Sequence, residues 1–225
     1  MEGRPAHLPM ILETRAVAPF YKNGFVLGCE DTREGIVIDP GDEVEDLLSA
    51  VDRHRLVIRY ILLTHAHIDH ITGVAAAKKA LGAPVGLHQA DLFLYKAVEQ
   101  QGQMLGVRAE PQPDVDFFYD GSGPWRFGPF GAWVYHTPGH CPGGVCLAVG
   151  REPDAARTLF VGDTLFAGSI GRVDLPGGDL RILLNSIRTV LFSFPDDTVV
   201  YPGHGEPTTV GVEKATNPFL TEDLR

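Results

Sequence analysis

Four side chains that can bind metal ions lie within six residues of one another, directly after an apolar segment. The segment Arg59–Leu63 is predicted to be a strand, and His65, His67, Asp69 and His70 follow it. In an extended loop, residues i and i+2 point to the same side, so His65 and His67 can bind one ion. Asp69 and His70 then turn away and can serve a second ion. Histidines also cluster in polar loops without any role, but a cluster this dense predicts a metal-binding loop at a strand end.

Three further candidate ligands follow at wide intervals, each where a predicted strand ends. They are His140 in the segment TPGH, Asp163 in VGDT and His204 in YPGHG. A glycine precedes each of them, and glycine lets the backbone turn tightly beneath a ligand. Imidazole suits zinc, iron and similar metals, while carboxylate widens the choice towards manganese. The seven residues together predict a site for metal ions.

Local sequence patterns predict the elements between these motifs. Apolar residues at helical spacing predict helices over Asp42–Arg53, Val74–Leu81, Ala90–Gln101 and Leu180–Phe192. The segment Gly102–Gly123 has no clear period and is predicted to be a long loop. Many short strands, with helices between and after them, indicate layered α and β structure.

The order of the candidate ligands resembles the pattern of the metallo-β-lactamase fold superfamily. That pattern is His-x-His-x-Asp-His followed by a distant His, Asp and His, and Asp39 in the segment IDPG matches the family's first conserved motif. The resemblance extends from about Asn23 to about Leu220. Within the superfamily, the segments GDTLF and YPGHG are most similar to the short bacterial form of glyoxalase II, the hydroxyacylglutathione hydrolase group.

The resemblance implies an α/β fold, a four-layer αβ/βα sandwich formed by a single domain over residues 1–225, with two divalent metal ions at the edge of the sheets. We expect zinc, with iron or manganese as alternatives. The resemblance assigns the first metal to His65, His67 and His140, the second to Asp69, His70 and His204, and the bridge between them to Asp163. Asp39 would be a carboxylate that supports the ligand loop. Asp69 and Asp163 are therefore the candidate catalytic residues.

The same resemblance implies a substrate class, an acyl thioester of the glutathione type. Two cations close together lower the pKa of a bridging water, and the resulting hydroxide would attack the thioester carbonyl. The family's glutathione-binding helical extension would begin near Asn217, and this chain ends at Arg225. The family's glutathione-contacting lysine and tyrosine fall near Arg172 and Asp174. Arg172 is therefore the predicted contact for a substrate carboxylate, and a pairing of Arg172 with Asp174 is the alternative.

Two other activities of the fold stay open at this point. The persulfide dioxygenases use one iron, which would be held here by His65, His140 and Asp163, and the segment HITG after the ligand loop is typical of that group. The other possibility is a different hydrolase of the fold, such as a lactonase or a β-lactamase. A nuclease is disfavoured because the net charge is −10 and no stretch concentrates lysine or arginine.

The composition of the chain limits the classes of molecule that it can bind and the compartment in which we expect it. The charge excludes a long contact with nucleic acid, and no apolar run reaches the length of a membrane span. The first ten residues lack the apolar core of a signal peptide. Three cysteines, Cys29, Cys141 and Cys146, suggest free thiols in a reducing compartment. We therefore expect a cytoplasmic protein that acts on a small molecule, with its oligomeric state left open.

Overall fold

The first half of the chain forms a six-stranded sheet. The computed structural model describes residues 10–121 and 123–221. The strands of this sheet are β1 Met10–Arg15, β2 Gly24–Cys29, β3 Glu34–Ile38, β4 Val57–Leu62, β5 Val85–Leu87 and β6 Phe117–Phe118. They lie side by side in chain order. Strands β1 to β3 are antiparallel neighbours, whereas β3 to β6 all run parallel.

The second half forms a second six-stranded sheet and a small hairpin. The strands are β7 Trp125–Phe127, β8 Phe130–His136, β9 Val145–Gly150, β10 Thr158–Gly162, the hairpin pair β11 Leu165–Phe166 and β12 Ser169–Ile170, then β13 Val199–Pro202 and β14 Thr208–Thr209. The sheet has the order β14–β13–β10–β9–β8–β7. Strands β10 and β13 are parallel, and the other neighbours are antiparallel.

Helices cover the outer face of each sheet. They are α1 Val44–His54, α2 Ile68–Ile71, α3 Val74–Leu81, α4 Leu92–Lys96, α5 Val98–Leu105, α6 Leu180–Thr189, α7 Val210–Thr216 and α8 Pro218–Thr221. Short 3₁₀ turns occupy Gln89–Asp91, Pro153–Ala155 and Leu191–Ser193. No helix in the described ranges is long and apolar enough to cross a membrane.

Alternate residues of the central strands face different layers. Val26 of β2 packs against the layer of α1 and α3, while its neighbours Phe25 and Leu27 pack between the sheets. In β9, Leu147 lies between the sheets and Cys146 packs in the layer of α6 and α7. A strand that is apolar on both faces is buried on both faces, which is the arrangement of a sheet inside a sandwich. The predicted αβ/βα sandwich is therefore confirmed.

An aromatic cluster holds the two sheets together near one edge. The rings of Phe25 and Phe160 meet edge to face with centroids 4.8 Å apart, and Phe160 stacks on Tyr201 at 5.3 Å. Phe25 belongs to the first sheet, and the other two residues belong to the second. The cluster therefore joins the sheets immediately beside the ends of strands β10 and β13.

Three of the predicted elements differ from the structure. The predicted helix over Leu180–Phe192 ends at Thr189, and a 3₁₀ turn at Leu191–Ser193 follows it. The predicted helix over Ala90–Gln101 is a 3₁₀ turn followed by α4 and α5, and α5 continues to Leu105 before it ends at Gly106 in a left-handed conformation. Gly102, predicted to begin a loop, lies inside α5. Glycine suits this position because a Cβ there would come within 2.7 Å of the Val107 carbonyl oxygen. The predicted loop Gly102–Gly123 also contains β6, which is too short to show a period.

Candidate metal centre

The predicted ligands lie where strands of both sheets end. Strands β3 and β4 are parallel, so Asp39 and the loop that begins at His65 leave the first sheet at the same edge. Strands β10 and β13 are also parallel, and Asp163 and His204 leave the second sheet beside each other. His140 comes from the turn between β8 and β9. The fold therefore brings residues that are far apart in sequence to one seam between the sheets.

The seven predicted ligands form two sets of three around one shared carboxylate. His65, His67 and His140 have candidate ligand atoms that all lie within 4.8 Å of one another, and so do Asp69, His70 and His204. Such spacing lets three atoms reach one ion. In the second set, Asp69 Oδ2 lies 3.0 Å from His204 Nε2 and 3.7 Å from His70 Nε2.

Asp163 lies between the two sets. Its Oδ1 is 3.4 Å from Nε2 of His70, a member of the second set. Its Oδ2 is 3.7 Å from Nε2 of His140 in the first set and 3.6 Å from Nε2 of His204 in the second. A carboxylate that faces both sets is placed where a bridging ligand would lie.

The buried polar atoms of this cluster fit metal ions. Within the described ranges, Nε2 of His65, His67 and His70 and Oδ1 of Asp163 are buried and have no hydrogen-bond partner. Buried polar atoms are normally paired, so several orphans that converge on one place call for an unseen partner. His67 Nδ1 and His140 Nε2 also approach to 2.7 Å. Donor sets of imidazole and carboxylate are those that zinc, iron and manganese accept.

Hydrogen bonds fix which ring nitrogen is free in three of the five candidate ligand histidines. His70 Nδ1 lies 2.9 Å from Asp39 Oδ2 and therefore donates to it. Thr64 donates its hydroxyl to the same carboxylate at 2.5 Å, so its oxygen can accept from His65 Nδ1 at 3.1 Å. His140 Nδ1 donates to the Arg172 carbonyl oxygen at 2.7 Å. In all three histidines the proton is held on Nδ1, which leaves Nε2 free for a metal.

The electrostatics of the cluster favour bound positive charge. Burial lowers the pKa of His65 well below its usual value, and burial together with neighbouring His140 lowers the pKa of His67 to about 3. Burial would also lower the pKa of His70, but Asp69, Asp163 and Asp39 raise it to about 10. Burial opposes ionisation of Asp163, yet the facing imidazoles hold its pKa well below the ordinary range. Without an ion, His70 thus carries the positive charge that the carboxylates require.

Two of the positions that precede ligands require glycine, one for its backbone conformation and one for close packing. Gly162 has φ of 51°, a left-handed conformation that suits glycine. Gly203 has no room for a side chain, because a Cβ there would overlap Asp163 Oδ1 and come within 2.7 Å of His70 Cε1. The backbone can approach the centre this closely only with glycine at this position.

Asp91 supports the ligand loop and was not predicted from the sequence. Its buried carboxylate accepts hydrogen bonds from the amides of Ala66, at 3.1 Å, and Gly143, at 2.5 Å, and from the thiol of Cys141, at 3.1 Å. Burial raises the pKa of Asp91, and burial also raises that of the Cys141 thiol. Ala66 lies between two predicted ligands and Cys141 follows a third. Asp91 therefore ties both ligand segments to one point.

Gln101 of α5 holds the same loop by its backbone. Its Oε1 accepts from the Ile68 amide at 3.0 Å, and its Nε2 donates to the carbonyls of Ala66 and Leu94 at 3.0 and 2.9 Å. Nothing in the sequence distinguishes this glutamine from an ordinary helical residue. Its importance follows only from the position of α5 beside the loop.

A buried ion pair lies on the other side of Asp39. Lys22 and Glu43 are 1% and 2% exposed, and Lys22 Nζ lies 2.5 Å from Glu43 Oε1. The ammonium also donates to the Asp39 carbonyl oxygen, and Glu43 accepts from the Gly41 amide at 2.9 Å. Asp39 has φ of 49°, an uncommon conformation for a residue with a side chain. The ion pair therefore holds the strained turn at Asp39, and the Asp39 carboxylate faces His70.

Lys22 and the next residue, Asn23, also contact the loop that carries His204. Lys22 forms an isolated bridge with His204, and the Asn23 amide donates to the Gly203 carbonyl at 2.6 Å. The Asn23 side chain donates to the carbonyls of Pro202 and Gly205 at 3.1 and 2.8 Å. These bonds position the loop that carries the last predicted ligand.

The centre opens into a cleft of about 300 Å³. Five of the predicted ligands form part of its lining: His67, Asp69, His140, Asp163 and His204. Its remaining lining residues are Phe20, Ile68, Leu94, Gln101, Met104, Leu105, Arg172, Leu175 and Pro176. The volume is that of a site for a small molecule.

Arg172 lies at this cleft, as a substrate contact would, and its guanidinium is paired. Its Nε and one terminal nitrogen each donate to the Asp174 carboxylate at 2.7 Å. Both side chains are largely exposed, and the pairing holds the pKa of Asp174 at about 2. A substrate carboxylate that used Arg172 would therefore have to compete with Asp174.

Several known proteins are similar to this chain in sequence and in architecture. A family model, the metallo-beta-lactamase superfamily, matches residues 18–204. Hydroxyacylglutathione hydrolase GloC from Haemophilus influenzae is 34% identical over 220 residues, which cover 94% of this chain and 98% of that protein. The crystal structure of BLEG-1 B3 metallo-beta-lactamase is 36% identical with a TM-score of 0.85, covering 94% of this chain and 100% of that chain. TTHA1623, solved in a di-iron-bound form, is 40% identical with a TM-score of 0.81, covering 92% and 100%.

Proposed function

Because this chain belongs to the metallo-β-lactamase superfamily, we propose that it is a metal-dependent hydrolase of acyl thioesters, with a thioester of the glutathione type as its substrate. The fold binds a pair of metal ions through histidine and aspartate ligands. The observation that carries the proposal is the arrangement of two ligand sets around Asp163 at the floor of an open cleft. The similarity to a hydroxyacylglutathione hydrolase over nearly the whole of both chains supports the substrate class.

We assign His65, His67 and His140 to one ion, Asp69, His70 and His204 to the other, and Asp163 to both. Zinc is the metal we expect, with iron or manganese as alternatives. A pair of divalent ions bound there would lower the pKa of a coordinated water and polarise the thioester carbonyl. Asp39 and Thr64 keep the ligand histidines in the required tautomer, and Asp91 and Gln101 hold the ligand loop in place.

The rest of the reaction places small demands on the protein. Water adds to the carbonyl carbon, the carbon–sulfur bond breaks, and the thiolate leaves with the electron pair. A thiolate is a tolerable leaving group, so no separate proton donor is required. We assign to Asp69, which is partly exposed at the floor of the cleft, the role of holding the proton that the attacking water loses. Arg172 is the proposed contact for a carboxylate of the substrate.

The test is metal analysis of the purified protein together with thioester hydrolysis. We expect about two metal ions per chain and release of free thiol from S-lactoylglutathione, detected with a thiol reagent. Asp163→Ala, which removes the shared carboxylate, should lower both the metal content and the rate. One iron per chain with oxygen uptake would instead support a persulfide dioxygenase, and full metal content and activity in Asp163→Ala would refute the assignment of the bridge.

β-Lactam hydrolysis is a second candidate, favoured by the 36% identity to BLEG-1 over 94% of this chain. A β-lactam has a carbonyl group within a strained four-membered ring, and a metal pair would activate this carbonyl as it would that of a thioester. A chromogenic cephalosporin should therefore be assayed beside the thioester at equal enzyme concentration. A higher kcat/KM for the β-lactam would make it the preferred substrate class.

A further inference from the structure

One wall of the cleft is apolar and belongs to segments other than the loop of Arg172. It consists of Phe20, Ile68, Leu94, Met104 and Leu105, and we call it the apolar wall. Ile68 begins α2 directly beside the predicted ligands, and Met104 and Leu105 end α5. The wall therefore extends from the floor of the cleft to its outer rim.

The rim of the apolar wall is exposed to solvent. Met104 and Leu105 are 75% and 54% exposed. Leaving such side chains in water forgoes the free energy that their burial would provide, so adjacent exposed apolar residues commonly mark a binding surface. Because this surface continues into the floor formed by the predicted ligands, its occupant is the molecule that reacts there.

The apolar wall offers little to a polar group. Away from the predicted ligands, Gln101 is a polar side chain on the same helix as Met104 and Leu105, and its amide is already used by the backbone groups of Ile68, Ala66 and Leu94. A hydroxyl placed against the wall would lose its hydrogen bonds to water and gain none. A short hydroxyacyl group such as lactoyl has its hydroxyl next to the reacting carbonyl and covers little of this surface, whereas an alkyl chain of several carbons is well matched to it.

We propose that the apolar wall binds the acyl group of the substrate, and that this enzyme prefers thioesters of unsubstituted alkyl acids of about four to eight carbons to thioesters of small hydroxy acids. This proposal rests on the proposed thioester hydrolysis. The thiol part of the substrate then lies towards the loop of Arg172, which supplies the cation for its carboxylate.

The first experiment varies the acyl group on a constant thiol. S-Acetyl-, S-butanoyl-, S-hexanoyl- and S-lactoylglutathione are hydrolysed by the metal-loaded protein, and kcat/KM is measured from thiol release. Burial of a methylene contributes enough to raise kcat/KM about fourfold, so we expect a steady rise to hexanoyl. S-Lactoylglutathione should be a poorer substrate than S-butanoylglutathione. Equal values along the series would overturn the proposal and leave the thioesterase function intact.

The second experiment changes the apolar wall. Met104→Glu and Leu105→Glu replace exposed side chains, so both proteins should fold, and each should flatten the rise with chain length. Phe93→Glu is the matched control, because Phe93 is 50% exposed on the neighbouring helix and does not line the cleft. The control should keep the wild-type gradient. A gradient that survives both rim substitutions would also overturn the proposal.

The third experiment measures binding without reaction. S-Methyl- and S-hexylglutathione are thioethers and cannot be hydrolysed, so calorimetric titration gives their Kd with the same protein. We expect S-hexylglutathione to bind at least about tenfold more tightly, and Met104→Glu to remove most of that difference. Tight binding of the hexyl compound without hydrolysis of any thioester would refute the proposed function alone. Equal Kd values for the two thioethers would refute the role of the wall.

Discussion

Asp39→Asn is the substitution that most directly tests how the ligands are held. The Asp39 carboxylate accepts three hydrogen bonds, from the Thr64 amide at 2.6 Å, the Thr64 hydroxyl at 2.5 Å and His70 Nδ1 at 2.9 Å. An asparagine has almost the same shape, but it offers one oxygen and an NH₂ group. At least one of the three donors would then face the NH₂ group, and His70 would in any case no longer donate to a charged carboxylate.

The magnitude follows from the number of groups affected. Loss of such a carboxylate partner typically costs about 10- to 100-fold in metal affinity, which corresponds to ~1.4–2.8 kcal/mol. A buried donor left without an acceptor costs a further ~1–3 kcal/mol of folding stability. We therefore expect Asp39→Asn to bind the metal of the His70 set more weakly and to unfold at a lower urea concentration.

The assay is competition with a chromophoric chelator, which gives the metal Kd, alongside urea unfolding of the metal-free protein. Asp42→Asn is the matched control, because Asp42 is an exposed carboxylate near Asp39 whose hydrogen bond is to the Thr72 hydroxyl at 2.7 Å. The control should bind metal as the wild type does. If Asp39→Asn and Asp42→Asn have the same metal Kd, the carboxylate of Asp39 does not hold a ligand.

Three further changes test other parts of the structure. Arg172→Ala should raise KM for an anionic thioester by about fivefold or less, with kcat little changed. Hydrolysis of a neutral thioester should be unaffected. An equal fall in kcat/KM on both substrates would make the residue structural. Lys22→Met leaves Glu43 charged and buried, so the free energy of unfolding should fall by ~3–5 kcal/mol in urea titrations, and adding Glu43→Gln should recover part of it. A cost below ~1 kcal/mol would show that the pair contributes little. His70 of the metal-free protein has its pKa raised to about 10, so the folded state binds that proton more tightly than the unfolded chain. The free energy of unfolding contributed by this proton is fully present below pH 6.5 and is lost as the pH rises towards 10. The urea midpoint of the metal-free protein should therefore fall across that range. The metal-bound protein should show no such fall.

The candidate ligands could be predicted because their information is local. His65 to His70 form a dense run after an apolar strand, and Asp163 and His204 each follow a glycine at a strand end. The layered α and β structure was also predictable, since many short apolar strands have amphipathic helices between and after them. Each of these features depends on residues that are close together in sequence.

The supporting residues could not be predicted, because their roles come from distant segments. No sequence pattern distinguishes Lys22 and Asn23, yet the fold buries Lys22 against Glu43 and places Asn23 beside the loop of His204. Asp91 lies in the first turn of the predicted helix Ala90–Gln101, and the groups that bind its carboxylate come from the distant segments of Ala66, Cys141 and Gly143. A local sequence pattern indicates which chemistry a residue type can perform. The role of a supporting residue depends on the distant segments that bury it.

The aromatic cluster between the sheets has a mechanical consequence for the chemistry. Phe160 lies three residues before Asp163, and Tyr201 lies three residues before His204, while Phe25 opposes both from the first sheet. The thickness of this layer therefore sets how far the ligands of the second sheet stand from those of the first. Protein interiors are densely packed and compress little, so the layer acts as a spacer of fixed width. A smaller side chain at Phe160 would draw the two edges together and alter the distance between the two proposed metal positions.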